Sequence, residues 1–152
     1  MKLIDLMMND LVIFDESIRS KEALFETLGQ LLEEKQRVTK AKKVIKDLYQ
    51  REAETSTGIE DGFGIPHAQS KAVLQPTICF VRTGKISDYV GIDGQMIEWV
   101  FAILVPKKTS NIHLEILSNL SRRLMNQAFR SQLKEADNAI EVLEIISKEE
   151  SS

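Results

Sequence analysis

The chain has 152 residues, of which 43% are hydrophobic and 28% charged, with a formal net charge of −3. That length and composition are typical of one globular domain with a substantial core, and the mild acidity argues against a broad nucleic-acid-binding surface. The longest apolar run, Trp99–Val105, is far shorter than the roughly 20 residues that span a membrane. Because the N-terminus also lacks a basic-then-apolar signal pattern, we expect a cytoplasmic protein without direct membrane insertion.

The first half of the chain predicts a strand followed by two amphipathic helices. Leu11–Phe14 is a short apolar run typical of a strand. Ser20 is an N-cap residue type, and the apolar spacing after it predicts a helix that ends at Glu34. Thr39 is expected to cap a second helix, which places Arg51 at the C-terminal end of that helix.

The second half predicts three strands and then three helices. The strands lie near Phe63–Pro66, Thr77–Arg82 and Ile97–Val105. The last of them is apolar on both faces, which predicts a central position in a sheet. A helix is expected to begin at the N-cap residue types Thr109, Ser110 and Asn111. The other two are expected near Ala128–Lys134 and, behind a capping box of Asn138 and Glu141, up to Ser147.

These elements predict an α/β fold, a single domain in which a layered mixed sheet is flanked by helices. The domain is expected to cover residues 1–147, with a frayed tail over residues 148–152. The only cysteine, Cys79, falls within an apparent strand. We expect it to be buried as a small hydrophobic residue.

The segment Gly58–His67 reads Gly-Ile-Glu-Asp-Gly-Phe-Gly-Ile-Pro-His and contains one of only two histidines. Glycine leaves no side chain to shield a neighbouring group, while Pro66 fixes its own φ and favours an extended Ile65. His67 is therefore expected at a defined chain turn within reach of a large partner, a position that suits a nucleophile. A loop histidine without function is the alternative interpretation.

The second histidine, His113, falls in the first turn of the helix predicted from Asn111. Unpaired backbone N–H groups and the positive end of the helix dipole favour an anion at that place. The same field disfavours imidazolium, so a histidine there tends to stay neutral. Packing beside Leu117 is the alternative role.

Together these motifs resemble the enzyme IIA components of the bacterial phosphoenolpyruvate-dependent sugar phosphotransferase system (PTS), in the fructose/mannitol class. The first matching block consists of Arg51-Glu52, Ser56-Thr57-Gly58-Ile59 and Gly64-Ile65-Pro66-His67. The second consists of Asp93-Gly94-Gln95, Val100–Pro106 and His113-Leu114-Glu115-Ile116-Leu117. Two further runs resemble the fructose branch more than the mannitol branch: Ser121-Arg122-Arg123-Leu124-Met125 and Phe129-Arg130. The chain departs from the usual pattern at Phe63-Gly64 and at Glu60-Asp61.

The resemblance implies a phosphotransferase that forms a phosphohistidine and uses no cofactor. His67 would accept a phosphoryl group from phospho-HPr and pass it to a IIB domain, with a cysteine as the expected acceptor and fructose as the expected sugar of the coupled transport. His113 would donate a hydrogen bond to the phosphoryl oxygens or orient His67. Arg51 would donate to the same oxygens, and without the resemblance it would be interpreted as a solvent-facing arginine at a helix end. Thr57 would add a hydroxyl or backbone donor, with a plain turn residue as the alternative. The alternative function is a regulatory IIA-like protein of the nitrogen-regulatory type, in which phosphorylation of His67 controls binding to partner proteins.

Other chemistries lack the residues that they need. A zinc site requires three or four ligands, and two histidines 46 positions apart do not supply them, so no metal is expected. The sequence contains neither the Gly-x-Ser-x-Gly elbow of a serine hydrolase nor the Gly-x-x-x-x-Gly-Lys-Ser/Thr loop that binds ATP phosphates. Four lysines are interpreted as the solvated face of the second helix: Lys40, Lys42, Lys43 and Lys46.

Glu60 and Asp61 make the glycine-rich segment acidic. These carboxylates are predicted either to steer basic residues of the phosphoryl donor towards His67 or simply to keep a loop soluble.

Overall fold

The computed structural model describes residues 2–108 and 111–151, so the predicted caps Thr109 and Ser110 lie outside the described residues. Two short 3₁₀ turns, Leu3–Leu6 and Asn9–Leu11, precede the first strand. The strands are β1 (Val12–Asp15), β2 (Phe63–Gly64), β3 (His67–Ser70), β4 (Thr77–Val90) and β5 (Met96–Pro106). The helices are α1 (Lys21–Glu34), α2 (Ala41–Glu54), α3 (Ile112–Leu124), α4 (Gln127–Glu135) and α5 (Ala139–Ser151).

The five strands form one mixed sheet in the order β1-β4-β5-β2, and β3 also pairs with β5. β4 and β5 are antiparallel, whereas β1 runs parallel to β4, and both β2 and β3 run parallel to β5. The predicted α/β fold with a mixed sheet is therefore observed. The prediction that the apolar strand ending at Val105 is central is confirmed, because β5 has neighbours on both sides.

Successive side chains of the two long strands enter two different cores. Val100, Ala102 and Leu104 of β5 pack with the buried faces of α1 and α2. Phe101, Ile103 and Val105 pack with α3, α4 and α5 on the other face. This alternation follows from the two-residue period of a strand and makes the fold a sheet between two helical layers.

Cys79 belongs to the core beneath α1 and α2 and is fully buried, as predicted. Burial raises the pKa of its thiol to about 12. Among the described residues, no helix is both long and apolar enough to cross a membrane.

The two predicted helix caps in the first half of the chain have different outcomes. The Ser20 cap is confirmed, because its hydroxyl accepts a hydrogen bond from the Ala23 N–H at 3.0 Å. The Thr39 cap is wrong, because Lys40 occupies the N-cap position of α2. The Ala41 N–H instead donates to the carboxylate of Glu33 in α1 at 2.9 Å, so the free N–H is satisfied by a residue that local sequence patterns do not identify.

The C-terminal boundary also differs from the prediction. Asn138 accepts a hydrogen bond from the Glu141 N–H at 3.0 Å, as expected for a cap, but α5 continues to Ser151 instead of ending at Ser147. In this last turn Glu150 accepts hydrogen bonds from the backbone N–H groups of Leu3 at 2.7 Å and Ile4 at 2.9 Å. These bonds fasten the last turn of α5 to the N-terminal 3₁₀ turn.

The strand predicted over Phe63–Pro66 is shorter in the structure, where β2 covers only Phe63–Gly64, and β3 follows at His67–Ser70, where no strand was predicted. Pro66 has no N–H to donate to β5, although its carbonyl accepts from the Ile103 N–H at 3.0 Å, and the regular pairing with β5 starts again at His67, which is opposite Ile103. His67 is thus the first residue of a strand, on a rigid element of the sheet.

Candidate functional site

The ring of His67 is held at both nitrogens. Nδ1 lies 2.7 Å from the carbonyl oxygen of Ile65, and Nε2 lies 3.1 Å from Nε of Arg51. A carbonyl only accepts and a guanidinium only donates, so both bonds form together only when the proton is on Nδ1. Nε2 of His67 therefore carries the free lone pair, which is the requirement for a histidine nucleophile.

Arg51 lies in the last turn of α2, as the sequence predicts. While its Nε donates to His67, its Nη1 donates to the carbonyl oxygen of Thr55 at 2.9 Å, and this second bond helps to hold the guanidinium beside the imidazole. Among the described residues no carboxylate forms an ion pair with Arg51. Its positive charge is therefore available to an anion bound at Nε2 of His67.

Burial lowers the pKa of His67 below its usual value of 6.5. The hydrogen bond to the Ile65 carbonyl opposes this shift, while the nearby charge of Arg51 adds to it. Desolvation and a neighbouring cation both disfavour imidazolium, so the neutral ring is favoured.

His113 occupies the first turn of α3, and its Nδ1 lies 3.1 Å from the side-chain nitrogen of Gln69. An amide nitrogen only donates, so Nδ1 of His113 accepts and the proton of the neutral ring is on Nε2. The two histidines therefore carry their protons on opposite nitrogens. His67 offers a lone pair at Nε2, and His113 offers an N–H donor at Nε2.

One cavity of about 410 Å³ brings these groups together. The residues that line it include Arg51, His67, Gln69, Lys107 and His113. The structure therefore places three of the four predicted site residues in one concave site, although His67 is half-buried and less open than the glycine-rich sequence suggests. A nucleophile, a cation and an N–H donor around one cavity are suited to transfer of a phosphoryl group.

Thr57 is placed differently. It is only 4% exposed, and its N–H and hydroxyl both donate to the Glu52 carboxylate, at 3.1 and 2.6 Å. The expectation that Thr57 donates to the phosphate is therefore not supported by its contacts, because neither donor is free.

Sequence reasoning gave no role to three residues in or behind this site: Gln69, Glu52 and Tyr89. Glu52 did have a signal, because it follows Val44 and Leu48 at four-residue spacing on the buried stripe of α2. Gln69 and Tyr89 had none, since their partners are distant in the chain.

The acidic pair Glu60-Asp61 is divided between two environments. Asp61 accepts a hydrogen bond from Nε of Arg130 at 2.9 Å and also contacts the ammonium group of Lys134, both on α4. Burial favours a raised pKa for Asp61, but the hydrogen bonds from Lys134 and Arg130 lower it overall. Only Glu60 is exposed, so the steering hypothesis now concerns that residue alone.

The described ranges contain no group of three or more His, Cys, Asp or Glu side chains that is placed to hold a metal ion.

Comparison with known proteins assigns the chain to a family. Residues 5–149 match the family model described as phosphoenolpyruvate-dependent sugar phosphotransferase system, EIIA 2. A fructose-specific EIIA component of the PTS from Haloferax volcanii is 35% identical over 139 residues, which cover 91% of this chain and 90% of the relative. A fructose-specific EIIABC component from Bacillus subtilis is 32% identical over 148 residues, which cover 97% of this chain but only 23% of that longer protein.

Solved structures agree with this assignment. The crystal structure of nitrogen regulatory protein IIA-Ntr from Neisseria meningitidis superposes with a TM-score of 0.85 at 31% identity and covers 94% of this chain and 97% of that one. The Escherichia coli mannitol IIA domain, in its complex with phosphorylated IIB, shares the fold with a TM-score of 0.68 at 19% identity, over 94% of this chain and 99% of that one. The resemblance predicted from the sequence is confirmed: the chain belongs to the EIIA 2 family of the sugar phosphotransferase system, a family of phosphotransferases that form a phosphohistidine.

Proposed function

We propose that this protein is a phosphocarrier that accepts a phosphoryl group on Nε2 of His67 from phospho-HPr and passes it to a IIB domain, in a system that takes up fructose. The observation that carries the proposal is the double restraint of the His67 ring, by Ile65 at Nδ1 and by Arg51 at Nε2. This restraint leaves one nitrogen unprotonated and directs it towards a cation that has no carboxylate partner among the described residues.

In the transfer step, the Nε2 lone pair of His67 forms a bond to phosphorus while the bond between phosphorus and the donor's histidine breaks, and the leaving imidazole takes up a proton. The Arg51 N–H that contacts Nε2 in the free protein then turns to a phosphoryl oxygen. The Nε2–H of His113 donates to the same group. The negative charge that these two donors stabilise is absent from the free site and arrives with the phosphoryl group. Their hydrogen bonds therefore form during transfer and stabilise the transition state.

The similar proteins support the partners and the sugar. The two relatives with the greatest identity quoted above are both described as fructose-specific, and the mannitol IIA domain that shares this fold was solved with a phosphorylated IIB domain. In the proposed function a cysteine of the IIB domain receives the phosphoryl group from His67. Because donor and acceptor both need Nε2 of His67, HPr and IIB compete for one face and do not bind together.

The experiment is a reconstituted transfer. Incubation with phosphoenolpyruvate, enzyme I and HPr should add one acid-labile phosphoryl group, which tandem mass spectrometry or ³¹P NMR should locate on Nε2 of His67. Addition of a purified fructose-type IIB domain should then discharge it. Absence of labelling, or labelling at Nδ1 of His67 or on another residue, would refute the proposal.

A regulatory role is the second candidate, because the Neisseria meningitidis structure quoted above is a nitrogen regulatory protein and a Haemophilus influenzae nitrogen regulatory protein homolog is 24% identical over 148 residues. The chemistry at His67 would be unchanged, and only the destination of the phosphoryl group would differ. If phosphorylated protein is not discharged by any PTS IIB domain encoded beside it, and its gene adjoins a transcription regulator instead, the regulatory role is favoured.

A further inference from the structure

Three polar side chains are buried behind His67, and the transfer step does not use them. Glu52 is 9% exposed, Thr57 4% and Tyr89 fully buried. Burying a carboxylate and two hydroxyl groups costs free energy unless each forms hydrogen bonds. Their arrangement therefore requires an explanation.

The three groups form one directed network. Thr57 donates its N–H to one oxygen of Glu52 at 3.1 Å and its hydroxyl to the other at 2.6 Å. A hydroxyl has a single proton, so the Tyr89 hydroxyl, 2.5 Å away, must be the donor to Thr57 Oγ1. Burial raises the pKa of Tyr89 far above its ordinary range, which keeps this donor protonated. The ammonium group of Lys21 lies 3.8 Å from the same carboxylate of Glu52.

This network continues through the backbone to the imidazole. The carbonyl of Thr57 accepts from the Ile65 N–H at 3.1 Å, and the carbonyl of Ile65 accepts from Nδ1 of His67 at 2.7 Å. Gly64 allows the close approach of Tyr89, because a Cβ atom there would lie 2.7 Å from the tyrosine oxygen. A continuous set of hydrogen bonds thus connects the buried carboxylate of Glu52 to the ring of His67.

We propose that Glu52, Thr57 and Tyr89 form a positioning unit that holds the Ile65 carbonyl in place and thereby fixes the tautomer of His67. The proposal rests on the proposed phosphocarrier function and assigns these residues to preparation of the nucleophile. Thr57 is then a positioning residue that acts through Ile65, which explains its position beside the site without a free donor. Reactive groups are most effective when such surrounding contacts hold them in the productive geometry.

Removing the Thr57 hydroxyl tests the unit at its centre. In Thr57→Val the side chain keeps its shape, but Glu52 loses one of its two hydrogen bonds from Thr57 and Tyr89 loses its acceptor. We expect the Ile65 carbonyl to move, the Nε2–H tautomer of His67 to become populated, and transfer from phospho-HPr to slow by up to about 10²-fold. Tyr89→Phe should change the tautomer population and the transfer rate in the same direction but by less, because it removes only one hydrogen bond. Thr57→Ser keeps the hydroxyl and should restore the parent tautomer and the parent rate.

The matched control is Thr83→Val. Thr83 is likewise a buried threonine, and its hydroxyl lies 2.7 Å from the carbonyl oxygen of Gly84 and 3.2 Å from that of Glu98, so its single proton is shared between two backbone acceptors. Its loss is expected to have a comparable cost in stability. The His67 tautomer is measured by ¹⁵N NMR of the imidazole in the unphosphorylated protein, and the transfer rate by quenched-flow labelling. Thr83→Val should have the same His67 tautomer and the same transfer rate as the parent.

The proposal is overturned if Thr57→Val and Tyr89→Phe show the parent tautomer and transfer at the rate of Thr83→Val. It is also overturned if Thr57→Ser is as slow as Thr57→Val, since the hydroxyl would then be irrelevant. If Thr57→Val fails to fold, Tyr89→Phe, which removes only one oxygen, decides the question. Failure of the proposed phosphocarrier function gives a different result. In that case the parent protein itself would not be labelled by phospho-HPr, whereas the His67 tautomer can still be measured because that measurement needs no phosphoryl donor.

Discussion

Arg51 and Arg130 approach the segment over residues 55–67 from opposite faces of the sheet. Nε of Arg130 donates at 2.9 Å to the carboxylate of Asp61, which Lys134 also contacts. Nε of Arg51 donates instead to a neutral nitrogen of His67 at 3.1 Å, and none of the carboxylates in the described ranges pairs with it.

The difference shows how one residue type serves two purposes. A cation that already has an anionic partner stabilises the loop, and little of its charge remains for a ligand. A cation that contacts an uncharged ring is held in position, but its charge gains little interaction energy until an anion binds beside it. The phosphoryl group brings that anion, and the interaction with Arg51 is then formed during the reaction.

Replacement of the nucleophile should abolish function. His67→Gln removes the nitrogen that attacks but only a half-buried ring, so we expect no acid-labile phosphate after incubation with phospho-HPr and a thermal unfolding curve close to that of the parent. Mass spectrometry and circular dichroism measure the two quantities. An acid-labile phosphate on this variant would show that another residue is the acceptor.

The donors at the site should affect rate and not location. Arg51→Lys and His113→Ala should each slow transfer by about 10² to 10³, the usual cost of losing one donor to a developing charge, while His67 is still labelled. Arg122→Lys, at an exposed arginine of α3, is the control and should transfer at the parent rate. Parent rates in both site variants would leave Arg51 and His113 with packing roles only.

The pH dependence should reflect the buried imidazole. Because burial lowers the pKa of His67, the rate should stay constant through pH 6.5 and fall about tenfold per unit only below the lowered pKa. In the unfolded chain His67 has its ordinary pKa of 6.5 and therefore binds a proton at higher pH than in the folded protein, so the free energy of unfolding should also decrease as the pH drops below 6.5. An NMR titration of His67 is the check, and a midpoint above 6.5 would contradict the argument.

Gln69 should have a smaller effect through His113. Gln69→Leu removes the donor to Nδ1 of His113 and frees that ring to change tautomer. A neutral hydrogen bond contributes about 1 kcal/mol, so transfer should slow about fivefold. The ¹⁵N spectrum of His113 should show both tautomers, and Gln75→Leu, at an exposed glutamine outside the cavity lining, should change neither rate nor spectrum.

The opposite arginine should matter for stability alone. Asp61 has a φ of +61°, a conformation that asparagine tolerates, so Asp61→Asn tests the charge without straining the backbone. We expect a loss of about 1 kcal/mol in the free energy of unfolding in urea, since the pair is partly exposed, and an unchanged transfer rate.

Glu60→Gln, one residue earlier in the same segment, is the matched variant and should leave stability unchanged. If Glu60→Gln slows transfer at low ionic strength and Asp61→Asn does not, steering is a property of Glu60 alone. A larger rate loss in Asp61→Asn would remove the contrast between the two arginines.

Local signals predicted the elements whose contacts are themselves local. Ser20 and Asn138 cap the helices that they precede, and the glycine-rich segment indicated His67. Thr39 and the C-terminal boundary were wrong because Glu33 and Glu150 satisfy backbone groups of other elements. Such contacts depend on packing, which no sequence window contains.

The same reason limits prediction of the site. Arg51, His67 and His113 were identified because they belong to motifs, but the tautomer of each histidine depends on a partner that folding brings close. Thr57 and Tyr89 are 32 residues apart, so their hydrogen bond follows from the pairing of β4 within the sheet and not from spacing.

The burial of Cys79 has a practical consequence for measuring these effects. Its thiol is inaccessible and, with a pKa of about 12, stays protonated at neutral pH, so maleimide reagents should not modify it in the folded protein. The chain therefore behaves as if it had no cysteine. A single cysteine introduced at an exposed position can carry a fluorophore, and the arrival and departure of a partner can then be followed in real time without a change to the native thiol.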